Sequence, residues 1–384
     1  MNRAWRQVTC FLFALLGVFP LRASEKANPP LDARSFANLM RQAQRGERRA
    51  QTRVGVAFAK WEVVAPNPSE AMRWFSQAAA AGDPQAQYNL AVLFYRGTGI
   101  ERNLPEAAKW FEKAAAAGLP EAQFNAGCLY ESGLGVRQNL GRALVLFQQA
   151  AQRGLAPAQN NLGRMYEQRE GVAHDSVAAM RWFKRSGEQG DAIGEYDLGA
   201  MYWNGAGVPR DVGKAAYWFQ LAAQQGHAGA QRMVGWLYRD GLGVPQDYQA
   251  AVTWFLKAAQ QGDGDAQNKL GILYLKGQGV AADDAQAAYW FSKAAEQGDG
   301  DAQANLAALY EAGRGVPRNL VQAYRWYQLS QRSTRTDQSD HLRELAKAMS
   351  NSEIADAERM STEWQPARNG SPAESMGSMA DLLE

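Results

Sequence analysis

The sequence predicts an all-α solenoid of eight 36-residue helix-turn-helix repeats with helical caps. Two observations carry that expectation. The stretch from Gln85 to Pro120 is 36 residues long, and its pattern restarts at Glu121, Pro157, Ile193, Gly229, Asp265 and Asp301, with a weaker copy from Arg49. Eight copies of 36 residues fill 288 of the 384 residues. Within each copy the large apolar residues recur at helical spacing on two short segments. A unit this small cannot bury its own apolar face, so each copy must lean on its neighbours.

Numbering the repeat from Gln85 as slot 1, helix A is expected over about slots 1–12 and helix B over about slots 20–33. Slot 6 holds Leu90, Leu162, Leu198, Leu270 and Leu306, and slot 10 holds Phe94, Tyr130, Tyr166, Tyr202, Tyr238, Tyr274 and Tyr310. Slot 26 is Trp in every copy except at Leu146, and slot 27 is Phe in seven copies and Tyr327 in the eighth. Recurrence in every copy is what packing demands, so the aromatic residues at slots 10 and 26 are expected in the core. Slot 2 is Ala, or Gly194, and slot 7 is Gly or Ala throughout; small side chains let helices approach closely. Glycines at slots 13 and 15, such as Gly97 and Gly99, follow helix A and can end it in left-handed backbone. Asn or Asp at slot 19, from Asn67 to Asn319, can cap helix B, and Pro68 stands at a first helical position.

This unit resembles the Sel-1-like repeat, a relative of the tetratricopeptide repeat, over all eight copies. The resemblance rests on the small residue at slot 2, Leu at 6, Gly at 7, Tyr at 10, the Gly-x-Gly-Val turn, Ala at 23, Trp at 26 and Ala-Ala before Gly at 34. It implies a right-handed superhelix of antiparallel helix pairs and an adaptor that holds other proteins. Two copies depart from the pattern. Trp61 and Val63 replace the turn glycines of the first, and the fourth has Arg169 at slot 13 and Ser186-Gly187 for Ala-Ala. An irregular turn or local superhelix is expected at both.

Outside the repeats the chain divides as follows. Arg3 and Arg6 precede the apolar run Val8 to Leu21 and the small residues Ala23 and Ser24, the layout of a secretory signal peptide over residues 1–23. The run is shorter than the ~17–25 residues that span a bilayer, and Cys10 stands at its start, where a lipoprotein cysteine would not be. Residues 24–48 read as a linker and an N-terminal capping helix with Phe36, Leu39, Met40 and Ala43 on one face. The repeats occupy 49–336. Residues 337–364 read as C-terminal capping helices, the second entered through Ser350 and Glu353 in a capping-box pattern. Residues 365–384, rich in Gly, Ser and Pro, read as a disordered tail.

Composition and motifs exclude several functions. Lys plus Arg is 41 against 39 Asp plus Glu, and removal of Arg3, Arg6 and Arg22 with the leader leaves 38 against 39. Such a balance carries no electrostatic footprint for nucleic acid or anionic lipid. Only Cys128 remains beyond the leader, so no disulfide within the chain is expected. His174, His227 and His341 are scattered, without metal-ligand spacing. No phosphate loop, nucleophile elbow or S-x-x-K motif is present, and the glycine pairs fall at helix-ending slots. A cysteine-rich branch of the resembling family is associated with β-lactams; its paired cysteines are absent here. No enzymatic activity, cofactor or metal is therefore expected.

The expected function is that of an exported, monomeric protein-binding scaffold, a periplasmic regulator or assembly factor of a bacterial envelope system. The alternatives are a secreted factor that binds a host protein and a hydrolase acting on cell wall or β-lactams. A helical wheel of helix A puts slots 4, 8 and 11 opposite the repeated apolar slots, and in related solenoids that side lines the concave groove. Most of that stripe is ordinary. Repeats 5 and 6 differ, with Trp203 at slot 11, Trp236 at slot 8, and Tyr196, Arg232 and Arg239 on the same stripe. These types carry binding energy at interfaces, so the five residues are the candidate partner site, with the two indole rings close together on adjacent helices. The competing reading is that both rings pack against the next repeat.

Overall fold

The computed structural model describes residues 31–60, 63–97, 99–334 and 337–367. The signal-peptide reading of 1–23, residue Trp61 and most of the stretch read as a tail lie outside them. The described residues form nineteen helices and no strand. An N-terminal helix α1 (Ala33–Gln44) precedes eight A/B pairs: α2 (Arg48–Ala59) with α3 (Pro68–Ala80), α4 (Pro84–Arg96) with α5 (Leu104–Ala116), α6 (Pro120–Ser132) with α7 (Leu140–Gln152), α8 (Ala156–Gln168) with α9 (Ser176–Gly187), α10 (Ala192–Asn204) with α11 (Val212–Gln224), α12 (Ala228–Asp240) with α13 (Tyr248–Gln260), α14 (Gly264–Lys276) with α15 (Asp284–Glu296), and α16 (Gly300–Ala312) with α17 (Leu320–Ser333). Helices α18 (Ser339–Lys347) and α19 (Asn351–Glu363) follow, both packed on α17. The chain forms two compact units, Met1–Gly194 with Ala206–Val208 and Glu195–Gly205 with Pro209–Glu384, and the boundary runs through α10.

Each pair is built around one ring. The slot-27 side chains Phe75, Phe111, Phe147, Phe183, Phe219, Phe255 and Phe291 are buried. In six copies the ring lies directly over the slot-7 glycine of helix A. A Cβ on Gly235 would stand 2.7 Å from Phe255, and one on Gly127 or Gly271 would stand 2.7 Å from Phe147 or Phe291. The glycine is thus the floor of the ring's socket.

The aromatic residues expected at slots 10 and 26 are less buried than the repeat pattern suggests. Trp74, Trp290 and Trp326 are buried, whereas Trp110, Trp182, Trp218 and Trp254 are only half-buried, as are Tyr130, Tyr166, Tyr202, Tyr238, Tyr274 and Tyr310. The physical reason is position. Slot 27 points into the pair, and slot 26 points to its rim, where a basic side chain covers the indole: Lys257 Nζ lies 4.1 Å from the Trp254 ring centroid and Lys113 Nζ 3.9 Å from that of Trp110.

Caps set the helix ends. All eight slot-19 residues, Asn67, Asn103, Asn139, Asp175, Asp211, Asp247, Asp283 and Asn319, accept a hydrogen bond from the third N–H of helix B. The backbone N–H of each also donates to the slot-10 carbonyl, closing the turn, as in Asn103 to Phe94 O at 2.8 Å. At slot 15 the chain touches the preceding helix B, so that a Cβ on Gly135 would lie 2.5 Å from the Leu104 carbonyl oxygen.

Irregular turns were expected in the first and fourth copies. In the first, α2 ends at Lys60 in extended backbone instead of a left-handed cap. In the fourth, Arg169 adopts the glycine conformation at φ 60°, ψ 35°, and its N–H reaches Met165 O as in the other copies. The turn there is regular, at the cost of a left-handed non-glycine residue. Ser186 also fits: its hydroxyl donates to Ala156 O and Asp191 at 2.9 Å each, and a Cβ on Gly194 would collide with it.

A polar tie joins consecutive pairs. Slot 3 is glutamine in seven copies, and each Nε2 donates 3.0–3.2 Å to the slot-31 alanine carbonyl of the preceding helix B, from Gln51 on Ala43 to Gln303 on Ala295. Slot-33 glutamines then donate back to its Oε1, as Gln189 to Gln159, Gln261 to Gln231 and Gln297 to Gln267 at 2.7–2.8 Å. Where slot 33 is Ala117 or Arg153, the Oε1 atoms of Gln87 and Gln123 have no hydrogen-bond partner. In the fifth copy Glu195 takes slot 3 and accepts from Gln225 at 2.8 Å.

The ends are closed by the outer helices. Phe36 of α1 meets Phe58 edge-on at 5.9 Å, and Ala43 joins Val54 and Trp74 in a buried cluster. At the other end Ser350 and Glu353 form a complete capping box, and Trp364 lies 6.3 Å from Trp326. Within the stretch read as a tail, the Ala367 N–H donates to Glu296 O at 2.7 Å.

Phe255→Ala is expected to lower the unfolding free energy by about 3–5 kcal/mol and Trp254→Ala by clearly less, because the indole is already half in water. Urea denaturation of the two variants checks that order; equal losses would place the tryptophan in the core. Arg169→Gly is expected to raise stability by about 1 kcal/mol through relief of the left-handed Cβ, and a lower melting temperature would show that the arginine side chain holds the turn.

Candidate protein-binding surface

The five candidate residues lie on α10 and α12, within the second unit. Tyr196 is turned inward. Its ring stacks on His227 at 4.6 Å and sits 5.5 Å from Phe219. His227 caps α12, its Nδ1 accepting from Ala230 N at 3.1 Å, and burial pushes its pKa down to about 4. The imidazole is therefore neutral at pH 7 with Nδ1 free to accept, and Tyr196 serves this cap.

Trp203 and Trp236 do not form the pair expected from the wheel. No ring contact joins them. Trp203 leans on the buried cluster of Ala215, Phe219 and Val234, with the Arg210 guanidinium 5.5 Å from its centroid. Trp236 packs in the same way one copy further on, onto the cluster of Phe255, Leu270 and Leu273. Val234 and Leu270 each belong to helix A of the following copy, so both rings pack on the next repeat. Both rings are half-buried, and the Trp236 Nε1 is buried without an acceptor.

Around Trp236 the charged side chains converge. The Arg239 guanidinium carbon lies 5.4 Å and Lys269 Nζ 6.0 Å from its ring centroid. Arg239 grips Asp240 through two hydrogen bonds of 2.7 and 2.6 Å. Arg232 bridges to the next helix A, donating from Nε to Asp263 at 3.1 Å and from Nη1 to Asp265 at 3.0 Å. Burial pushes the Asp263 carboxyl above its usual range, against the Arg232 charge and the Ala266 N–H that lower it. Beside this cluster is a cleft of about 240 Å³ lined by Arg239, Asp240, Tyr248, Lys269, Ile272 and Lys276.

Sequence reasoning missed Asp240, Tyr248, Lys269, Ile272 and Lys276. Four of the five lie one helix B or one helix A further along the chain, and slots 5 and 12 of one helix A can stand beside slots 8 and 11 of the one before. It also missed Tyr217 and Tyr289 at slot 25, 56% and 49% exposed, each edge-on to its neighbouring tryptophan. Among the described residues no group of three or more His, Cys, Asp or Glu could hold a metal, and no helix is long and apolar enough to cross a membrane.

The Sel1 repeat profile matches residues 49–83, 84–119, 120–155, 156–191, 192–227, 228–263, 264–299 and 300–330. The chain belongs to the Sel1 repeat family. Its pairs of helices match the crystal structure of a Sel1 repeat protein from Oxalobacter formigenes, at 29% identity and a TM-score of 0.64, over 88% of this chain and 94% of that one. The structure of c5321, a protective antigen of uropathogenic Escherichia coli with an SLR fold, is also similar, at 27% identity and a TM-score of 0.48, over 93% and 91%. No curated protein matches the chain. Sel1 repeat proteins are protein-interaction scaffolds, and the family is generally non-catalytic.

Arg232→Gln is expected to raise the Asp263 pKa further, read by carboxyl-carbon NMR titration. That carboxyl already titrates above its unfolded value near 3.8, so its contribution to stability is fully present below 3.8 and falls as pH rises through the folded pKa. The variant should therefore lose little stability at low pH and most at neutral pH. With side chains 25% and 16% exposed, that loss should stay below the ~3–5 kcal/mol of a fully buried broken pair.

Proposed function

We propose that this Sel1 repeat chain is an exported scaffold that holds a partner protein on the face formed by α10, α12 and α14. In this reading it serves in the periplasm as a regulator or assembly factor of a bacterial envelope system. Export is supported by the basic, apolar and small-residue order of residues 1–24. The observation that carries the binding surface is the gathering of Trp236, Arg232, Arg239 and Lys269 on two consecutive A helices. Half-buried aromatic and arginine side chains beside a cleft are what interface hot spots use.

The test combines fractionation with capture. Expressed in a Gram-negative host, the protein is expected in the osmotic-shock fraction with a new N-terminus near Ser24. Recovery from a membrane pellet beginning at Met1 would refute export. Cross-linking in that fraction, followed by purification, should trap a partner that Trp203→Ala with Trp236→Ala fails to trap, with an unchanged helical circular-dichroism spectrum. Retention of the partner by the folded double variant would remove this surface from consideration.

A further inference from the structure

The charges that line the cleft do not cancel: Arg239, Lys269 and Lys276 stand there with one carboxylate, Asp240. Arg232 occupies Asp263 and Asp265 at 3.1 and 3.0 Å, and Arg239 occupies both oxygens of Asp240. Lys269 approaches Asp265 at 3.8 Å and also lies in the field of Asp240 and Asp299. Lys276 makes no hydrogen bond or ion pair among the described residues. Its place in the last turn of α14 suits the helix dipole, which supplies no carboxylate.

On the reading that this face binds a protein, we propose that the cleft takes one carboxylate side chain, Glu or Asp, of an extended partner segment, held by Lys276 and Lys269, with a flanking apolar side chain against Ile272 and Tyr248. Lys276, the lining cation with no ion pair among the described residues, matches one carboxylate; Asp240 on the rim disfavours a dianion such as phosphate. The volume of about 240 Å³ is below the ~300–1,000 Å³ of small-molecule sites and suits one or two side chains. Trp236, held between Arg239 and Lys269, keeps both cations at the mouth of the cleft.

The test uses the full chain and three dye-labelled peptides read by fluorescence anisotropy at low salt: acetyl-Gly-Leu-Glu-Leu-Gly-amide, the same peptide with Gln for Glu, and the same with Ser for both Leu. The Glu peptide should bind, and the Gln peptide should bind about tenfold more weakly, the effect of one charge-assisted hydrogen bond. The Ser peptide should also weaken, and salt should weaken the Glu peptide. Lys276→Gln, which breaks no ion pair, should bring the Glu peptide down to the level of the Gln peptide. Equal binding of the Glu and Gln peptides, no binding of the Glu peptide at about 1 mM, displacement by equimolar inorganic phosphate, or an unaffected Lys276→Gln variant would each overturn the proposal. If Lys276→Gln still captures the envelope partner while the double tryptophan variant does not, the binding surface stands and the carboxylate site falls.

Discussion

The contact on which the structure depends is the slot-27 ring seated on the slot-7 glycine. Close approach of helices A and B requires a small residue at slot 7, glycine in six copies and alanine in two, and the ring then fills the space that a larger side chain would take. Once that distance is set, the other choices follow. Alanine at slots 30 and 31 keeps the next helix A close, and the tryptophan at slot 26 is displaced to the rim, where a lysine or arginine can lie over it. Ala91 and Ala307 show that a methyl group can occupy the socket floor, since both stay buried opposite Phe111 and Tyr327. The socket therefore tolerates a small shift and does not tolerate a larger side chain.

A second constraint is polar. A helix pair that buries small residues also buries the carbonyls near the end of helix B, and burial without a donor would be costly. The slot-31 carbonyl already accepts the slot-34 glycine N–H, as Ala295 O does from Gly298 at 3.0 Å, and the slot-3 glutamine adds a second donor from across the junction. The same reasoning explains why Ser186 and Ser330, in place of alanine at slot 30, donate to Ala156 O and Gly300 O: each hydroxyl finds a carbonyl thirty residues back.

Much of this was legible in the residues. The period, the helix limits and the slot-19 caps were, because each depends on local chemistry that recurs at the same spacing. The ranking of the aromatics was not. Phe255 and Trp254 recur equally often, and recurrence alone cannot say which of two adjacent rings faces inward. The glutamine tie was missed because a search for apolar periods passes over a recurring polar residue. Arg169 was expected to disturb its turn, yet the hydrogen bonds of the surrounding turn hold it in left-handed backbone. At the candidate site, a wheel drawn for one helix puts Arg232, Trp236 and Arg239 on one stripe of α12. It could not see Lys269 and Lys276, which reach the same place from the next repeat.

The glutamine tie has a consequence for how such a chain can change over generations. Each glutamine addresses an alanine carbonyl in the copy before it and can be addressed by slot 33 of its own copy. Every junction inside a unit thus uses the same complementary edges. Unequal crossing-over between two copies of the gene segment would add or remove a whole repeat and leave each new junction with a donor and an acceptor already in place. The fifth copy is the exception, because Glu195 there cannot donate when ionised. Within each unit the array can therefore lengthen or shorten by whole repeats and keep the tie.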